Sequence, residues 1–144
     1  MTEYIQSALD WVHEQVELYE SSGGTKGTTL RDTGLPCIIV THTGNKTGAI
    51  RKIPLMRVEV DERYVLIGSY GGGPRNPVWV YNLRKNPDVE IRDKTAVFQM
   101  RVREIEDEQE RKLFWDAGVR AFPTYVDYQT KTSRKIPVFI AEPV

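Results

Sequence analysis

Residues 37–69 read CIIVTHTGNKTGAIRKIPLMRVEVDERYVLIGS, and this stretch decides the fold class. The continuous apolar run at 37–40 is typical of a buried strand. The strand candidates 52–60 and 63–69 are separated by an Asp-Glu pair, which favours a hairpin turn. A glycine-rich segment, residues 41–51, lies between the first strand and this hairpin. The stretch therefore predicts antiparallel strands joined by short turns.

The flanking sequence adds helices and a second hairpin. Apolar spacing and helix-start residues predict three helices. The first spans 2–20 with Thr2 as its cap, the second begins near Pro77 and ends before Asn86, and the third spans 106–121 with a continuation at 125–128. Further strands are predicted at 89–91, 95–103 and 136–141. Because hairpins replace the regular alternation of strand and helix, this order predicts an α+β fold with an antiparallel barrel or sheet, not a doubly wound Rossmann domain. We interpret residues 1–144 as a single domain, with an N-terminal helix at 1–22, an irregular wrap at 23–34 and the barrel with its helices at 35–144.

The composition excludes several classes of protein. The chain has 144 residues, with twenty Lys and Arg against twenty Asp and Glu, so broad attraction to nucleic acid is not expected. Cys37 is the single cysteine, which excludes a disulfide framework and suits a reducing cytoplasm. The two histidines lack a carboxylate pattern that would predict a metal site, and His42 is expected to be partly exposed. No apolar run has membrane-spanning length, and the first helix has an acidic polar face, so stable membrane insertion is not expected.

Two glycine-rich, basic loops carry the residues that point to chemistry. The first loop, 41–51, contributes Lys46 and Arg51, and the second loop, 69–79, contributes Arg75 beside three consecutive glycines. Exposed backbone N–H groups and fixed positive charge favour an anion, and a helix that opens directly after the glycine run adds further N–H groups. Together the loops predict a groove for an elongated, phosphate-bearing molecule. For a single loop, a turn with solvated charges is an alternative of similar weight, and the glycine spacing is not that of a P-loop.

Four segments of the chain resemble a known family. They read HTGNKTGAIRKIPLMRVE at 42–59, RYVLIGSYGG at 63–72, PRNPVWVYNLRKNPDV at 74–89 and VRAFPTYVDYQTKTSRKIPVFIAEP at 119–143. In their order and spacing they resemble the deazaflavin-dependent nitroreductases, which are actinobacterial enzymes of the split β-barrel flavin-binding superfamily. The resemblance covers about residues 10–143.

That resemblance implies a split antiparallel β-barrel with flanking helices that binds the 5-deazaflavin coenzyme F420. The reduced cofactor would transfer a hydride to an electron-poor small-molecule acceptor, such as a quinone, an enone or a nitro compound. An FMN-binding oxidoreductase on the same fold and a non-enzymatic F420 carrier are the alternatives. The family occurs in monomeric form, while related split barrels pair, so both a monomer and a homodimer are compatible with the sequence.

The resemblance also implies the residues that bind the cofactor. They are Asn45, Lys46, Thr47 and Arg51 for its phosphate and acidic tail, Pro54, Leu55 and Met56 for the deazaflavin ring, and Ser69, Tyr70, Gly71, Gly72, Asn76, Pro77 and Trp79 for the remainder. Trp79 is also a candidate core residue, which is the commoner role of a tryptophan. The chain departs from the family pattern at Asn45, where relatives often have a further basic residue, and at Tyr70, where some members carry a lysine. It also has Val80-Tyr81 in place of a frequent Tyr-His pair.

Tyr125 and Tyr128 are the candidates for a role in the acceptor pocket. They lie three residues apart, which places them on one face if the segment is helical. In the resembled family, tyrosines of this region line the acceptor pocket, so that either hydroxyl could deliver a proton. Packing is the alternative for both, water is the other proton source, and Tyr128 is the better candidate for the pocket.

Overall fold

The computed structural model describes residues 3–144, with every side chain among them except that of Asp32. Seven strands form one curled sheet: β1 Cys37–Thr43, β2 Ile50–Met56, β3 Glu59–Val60, β4 Arg63–Ile67, β5 Asp88–Asp93, β6 Ala96–Glu104 and β7 Val138–Pro143. Their order is β2-β1-β5-β6-β7-β4-β3, and every pairing is antiparallel. Four helices flank the sheet: α1 Asp10–Ser21, α2 Val78–Lys85, α3 Glu108–Ala121 and α4 Thr124–Thr130. The predicted α+β class with an antiparallel sheet is confirmed.

The apolar run of β1 is continuous because both faces of this strand are covered. Alternate residues of a strand point to opposite faces. Ile38 and Val40 pack in the cluster that α2 closes, whereas Cys37 and Ile39 pack against α1. A third cluster joins α3 and α4 to the sheet through Phe114 and other buried residues. The helices thus bury both sides of the sheet, and α2 lies over the cluster that the site adjoins.

The hairpin predicted at the Asp-Glu pair is confirmed, but the strand before it is divided. Asp61 and Glu62 have φ values of 52° and 66°, the left-handed pair that a tight two-residue hairpin needs. The predicted strand at 52–60 breaks after Met56 because the chain changes its partner there. Strand β2 pairs with β1, whereas β3 pairs with β4.

Helix α1 begins at Asp10, so the helix predicted from residue 2 starts eight residues too early. The chain before it forms backbone hydrogen bonds with the outer edge of β2. Ile5 donates to the Ile50 carbonyl at 3.0 Å, and the Ile50 N–H donates to the Glu3 carbonyl at 2.7 Å. Thr2, expected to cap the helix, lies outside the described residues. Across residues 3–144 no helix is both long enough and apolar enough to span a membrane.

Candidate functional site

The first loop is the turn of the β1–β2 hairpin, and α2 holds its backbone. The Asn45 N–H donates to Oδ1 of buried Asn82 at 2.9 Å, and Lys85 Nζ donates to the Asn45 carbonyl at 2.9 Å. Asn86 Nδ2 adds a longer bond of 3.4 Å to the Thr43 carbonyl. Residues of α2 and the residue that follows it therefore position the first loop. That residues 69–77 of the second loop share a groove with the first loop stays a prediction.

A groove of about 560 Å³ separates this loop from the exposed side of α2. It is lined by Gly44, Asn45, Lys46, Thr47, Arg51, Val78, Tyr81 and Asn82. Among the side chains that the structure describes, neither Lys46 nor Arg51 forms an ion pair. The opposite wall is apolar and open to solvent, since Val78 is 70% exposed and Tyr81 is 43% exposed. The groove thus combines two uncompensated cations with an apolar surface.

The second loop is packed against α4. Tyr70, Gly71 and Gly72 form a 3₁₀ turn with φ values of 47°, 62° and 78°, a conformation that a residue with a side chain adopts at a cost. At Gly72 a Cβ atom would lie 2.7 Å from the Tyr128 carbonyl oxygen, so only glycine fits there. Ser69 is buried, while the Tyr70 side chain is 63% exposed. The loop is therefore a fixed turn rather than a flexible connection.

Arg134, in the segment between α4 and β7, binds the second loop through its side chain. Its guanidinium donates to four acceptors: the carbonyls of Gly73 at 3.0 Å, Gly68 at 3.2 Å and Ser69 at 2.7 Å, and Oδ1 of Asn76 at 2.6 Å. Sequence reasoning missed this residue. In the sequence it is one basic residue in the polar run 130–135, and its partners are 58 to 66 residues away.

The residues predicted along the deazaflavin ring do not share one surface. Leu55 packs against the inner cluster that contains Trp79, whereas Met56 is buried with α3 and α4 on the opposite face. Pro54 is buried as well. Trp79 is 6% exposed and its ring centroid lies 5.9 Å from that of Phe139, which is the core position considered for it. Contact of these four side chains with a cofactor stays a prediction.

The two candidate tyrosines share one aromatic cluster with Phe122 but differ in burial. Tyr125 is buried among aromatic rings, with Phe122 at a centroid distance of 5.1 Å, and burial raises the pKa of its hydroxyl. A buried hydroxyl with a raised pKa is a poor proton donor. Tyr128 is half-buried and lies beside the second loop, through its backbone contact with Gly72. The Tyr128 ring also packs against Phe122 and Tyr125, at centroid distances of 6.0 Å and 6.2 Å. Tyr125 is therefore a core residue, and a role of Tyr128 at the site stays a prediction.

His42 is buried, so its expected partial exposure is wrong. It faces inward next to the groove, since its strand partner is Arg51. Burial lowers the pKa of His42 to about 4; the Val40 carbonyl opposes this effect, and the Arg51 charge adds to it. The imidazole is therefore neutral near pH 7 and does not add to the positive charge of the groove.

The curled antiparallel sheet with flanking helices defines a split-barrel protein, and the cationic groove at its first hairpin is its candidate ligand site. The chain belongs to the F420H(2)-dependent quinone reductase family, whose model matches residues 11–143. It is 32% identical over 126 residues to an F420H(2)-dependent quinone reductase of Mycobacterium tuberculosis strain H37Rv, covering 85% of this chain and 83% of that protein.

Two solved structures are also similar. One, described as a domain-swapped dimer, has 43% identity and a TM-score of 0.73, covering 94% of this chain and all of that one. The other, an F420-H2 dependent reductase, has 45% identity and a TM-score of 0.70, covering 74% of this chain and 94% of that one. These findings confirm the split-barrel fold, F420 as the cofactor and an oxidoreductase that transfers hydride to a quinone-type acceptor. They favour F420 over FMN, and an enzyme over a carrier.

Proposed function

We propose that the groove between the first loop and α2 binds reduced F420, and that the acceptor is a quinone which approaches from the open side of the groove. The observation that carries this proposal is the pairing of Lys46 and Arg51, without ion-pair partners among the described side chains, with the exposed apolar wall of Val78 and Tyr81. An anionic cofactor would neutralise Lys46 and Arg51, and its flat aromatic ring would cover Val78 and Tyr81.

The residues present fit such a cofactor. The groove has the size of a typical small-molecule site, and its two cations come from one hairpin, Lys46 from the turn and Arg51 from the start of β2. The turn itself is rigid, because the Asn82 side chain and the Lys85 ammonium both bind the Asn45 backbone. The backbone that carries Lys46 is therefore held in place before the ligand arrives, which reduces the ordering cost of binding.

The cofactor, when bound, supplies the hydride, and the protein supplies orientation, electrostatics and protection from water. Lys46 and Arg51 would hold the anionic groups, and the second loop would contribute residues 69–76, apart from the Gly72 and Gly73 N–H groups, which bond within the turn. Reduction of a quinone by a hydride also needs a proton. Tyr128 beside the second loop is the candidate donor from this chain, and solvent is the alternative source.

We further propose that nitro compounds and enones serve as additional acceptors, and that the chain works in an actinobacterial cytoplasm. Support for the second point comes from the mycobacterial relative and from the single buried cysteine, which needs no oxidising compartment. Both a monomer and a homodimer stay open for this chain; one similar solved structure is described as a domain-swapped dimer.

Binding and turnover with matched variants test the assignment of the groove. The affinity for F420 is measured by tryptophan fluorescence, and turnover is measured by the oxidation of reduced F420 with a water-soluble naphthoquinone. Lys46→Ala is expected to weaken binding by about 1–3 kcal/mol, the loss for a charge-assisted hydrogen bond. Lys26→Ala is the control, because this exposed lysine lies in the turn after α1, outside the groove.

Two results would overturn parts of the proposal. Unchanged affinity of Lys46→Ala would show that the cofactor lies elsewhere. Tight binding without oxidation of the reduced cofactor by any quinone would leave nitro compounds and enones as the acceptors to examine.

A further inference from the structure

The guanidinium of Arg134 joins both ends of the second loop. Its acceptors Gly68 and Ser69 precede the 3₁₀ turn, and Gly73 and Asn76 follow it. A planar group with five N–H donors in a fixed fork can hold several acceptors at once, which an ammonium cannot do with the same geometry. The Arg134 side chain therefore links the residues before the 3₁₀ turn to the residues after it.

Arg134 is itself held in place by α4. The Gln129 side chain binds the backbone at and directly after the arginine, since Nε2 donates to the Arg134 carbonyl at 2.8 Å and Oε1 accepts from the Ile136 N–H at 3.2 Å. The Arg134 N–H adds a bond of 3.3 Å to Thr132 Oγ1. The side chain thus projects from a supported backbone.

All four acceptors of Arg134 are neutral. Among the described side chains no carboxylate lies within ion-pair distance of its guanidinium. Burial lowers its pKa, and Tyr81, which lines the groove, has the opposite effect; an arginine nevertheless stays charged in proteins. A half-buried arginine usually has a carboxylate partner. Arg134 has none among the described side chains, so its positive charge next to the second loop is uncompensated.

The same loop contains a residue in an unfavourable conformation. Tyr70 has a φ of 47°, and such a conformation persists where the surrounding structure enforces it. The hydrogen bonds of Arg134 to both sides of the turn supply that constraint. Loss of the fork would release Tyr70 and the adjacent backbone N–H groups.

We propose that Arg134 is the positioning residue of the cofactor site: it fixes the second loop in the conformation that receives the anionic cofactor, and its charge adds to that of Lys46 and Arg51. This inference rests on the proposed function. It assigns Arg134 no direct contact with the reacting atoms. Its effect is expected in cofactor affinity and in the Michaelis constant for reduced F420, with little change in the Michaelis constant for the quinone.

The test compares Arg134→Lys, Arg134→Ala and, as control, Arg120→Ala, an exposed arginine of α3 outside the site. Urea unfolding first shows which variants fold. The cofactor-free proteins are then titrated with F420, and the affinity is measured by tryptophan fluorescence. The titration is repeated with guanidinium ion at a concentration far below the denaturing range. Arg134→Lys is expected to lose about tenfold in affinity, because it keeps the charge and loses the fork, and Arg134→Ala still more. Guanidinium ion should restore part of the affinity of Arg134→Ala only.

The outcomes separate this inference from the assignment of the groove. Wild-type protein that fails to bind F420 refutes the proposed function. Wild-type binding that weakens in Lys46→Ala, but stays unchanged in both Arg134 variants, refutes the role of Arg134 alone. If Arg134→Ala does not fold, Arg134→Lys decides, since a folded lysine variant with wild-type affinity contradicts the need for the fork.

Discussion

Replacing Gly72 by alanine tests how closely the second loop packs on α4. The added Cβ would lie 2.7 Å from the Tyr128 carbonyl oxygen, 3.0 Å from the Tyr128 Cα and 3.1 Å from the Lys131 Cβ, so backbone must move. The φ of 78° adds a second cost, because alanine disfavours the left-handed region by about 1–2 kcal/mol. Forced displacement of packed groups costs about 1–3 kcal/mol. The free energy of unfolding should therefore fall by about 2–5 kcal/mol.

Gly71→Ala is a matched control for this change. Gly71 has a similar φ of 62°, but a Cβ atom added there meets nothing within 4 Å. It should lose only the conformational part, about 1–2 kcal/mol. Urea unfolding of the two variants and the wild type, followed by circular dichroism, measures both losses. Equal losses in the two variants would refute the close contact between the loop and α4.

Two further predictions concern His42 and Tyr128. In the unfolded chain His42 takes up a proton as the pH falls below the ordinary pKa near 6.5, whereas in the folded protein its pKa is about 4. Because the unfolded state binds the proton first, the free energy of unfolding should fall by about 3 kcal/mol between these two pH values. Urea midpoints measured from pH 7 to pH 4 should show this slope in the wild type and a much smaller one in His42→Leu; an unchanged slope would assign it to other groups. Tyr128→Phe should lower turnover with a quinone while leaving F420 affinity within about twofold, since one hydroxyl is removed and the ring stays. Wild-type turnover in this variant would make solvent the proton source.

The elements that could be predicted from the sequence are those specified by neighbouring residues. The Asp61–Glu62 turn, the buried strand at β1 and the helix that opens after Pro77 each depend on a few adjacent side chains. The start of α1, in contrast, depends on residues far along the chain, and the sequence predicts it too early. Its apolar spacing continues into residues 3–9, but hydrogen bonds to Ile50, far along the chain, hold that segment outside the helix.

The same distinction separates the parts of the candidate site. Lys46 and Arg51 stand out in the sequence because both lie in one short loop, and they do line the groove. The support of that loop by Asn82, and of the second loop by Arg134, depends on contacts across 37 to 66 residues, which no local pattern shows. The strand predicted at 52–60 already implies opposite faces for the adjacent residues Leu55 and Met56. Which cluster covers each face depends on distant helices and strands, and the sequence does not show it.

The attachment of the first loop to α2 has a consequence for how this enzyme can change. Asn82 and Lys85 bind only the backbone of Asn45, so the course of the loop does not depend on the exposed side chain of Lys46. Thr47 is different, because its hydroxyl accepts a hydrogen bond from the Ala49 N–H at 3.2 Å within the turn. Position 46 can therefore be substituted without disturbing the turn. Selection, or a designer, could adjust the preference for ligands with longer, shorter or less charged tails one side chain at a time, on a scaffold that stays folded throughout.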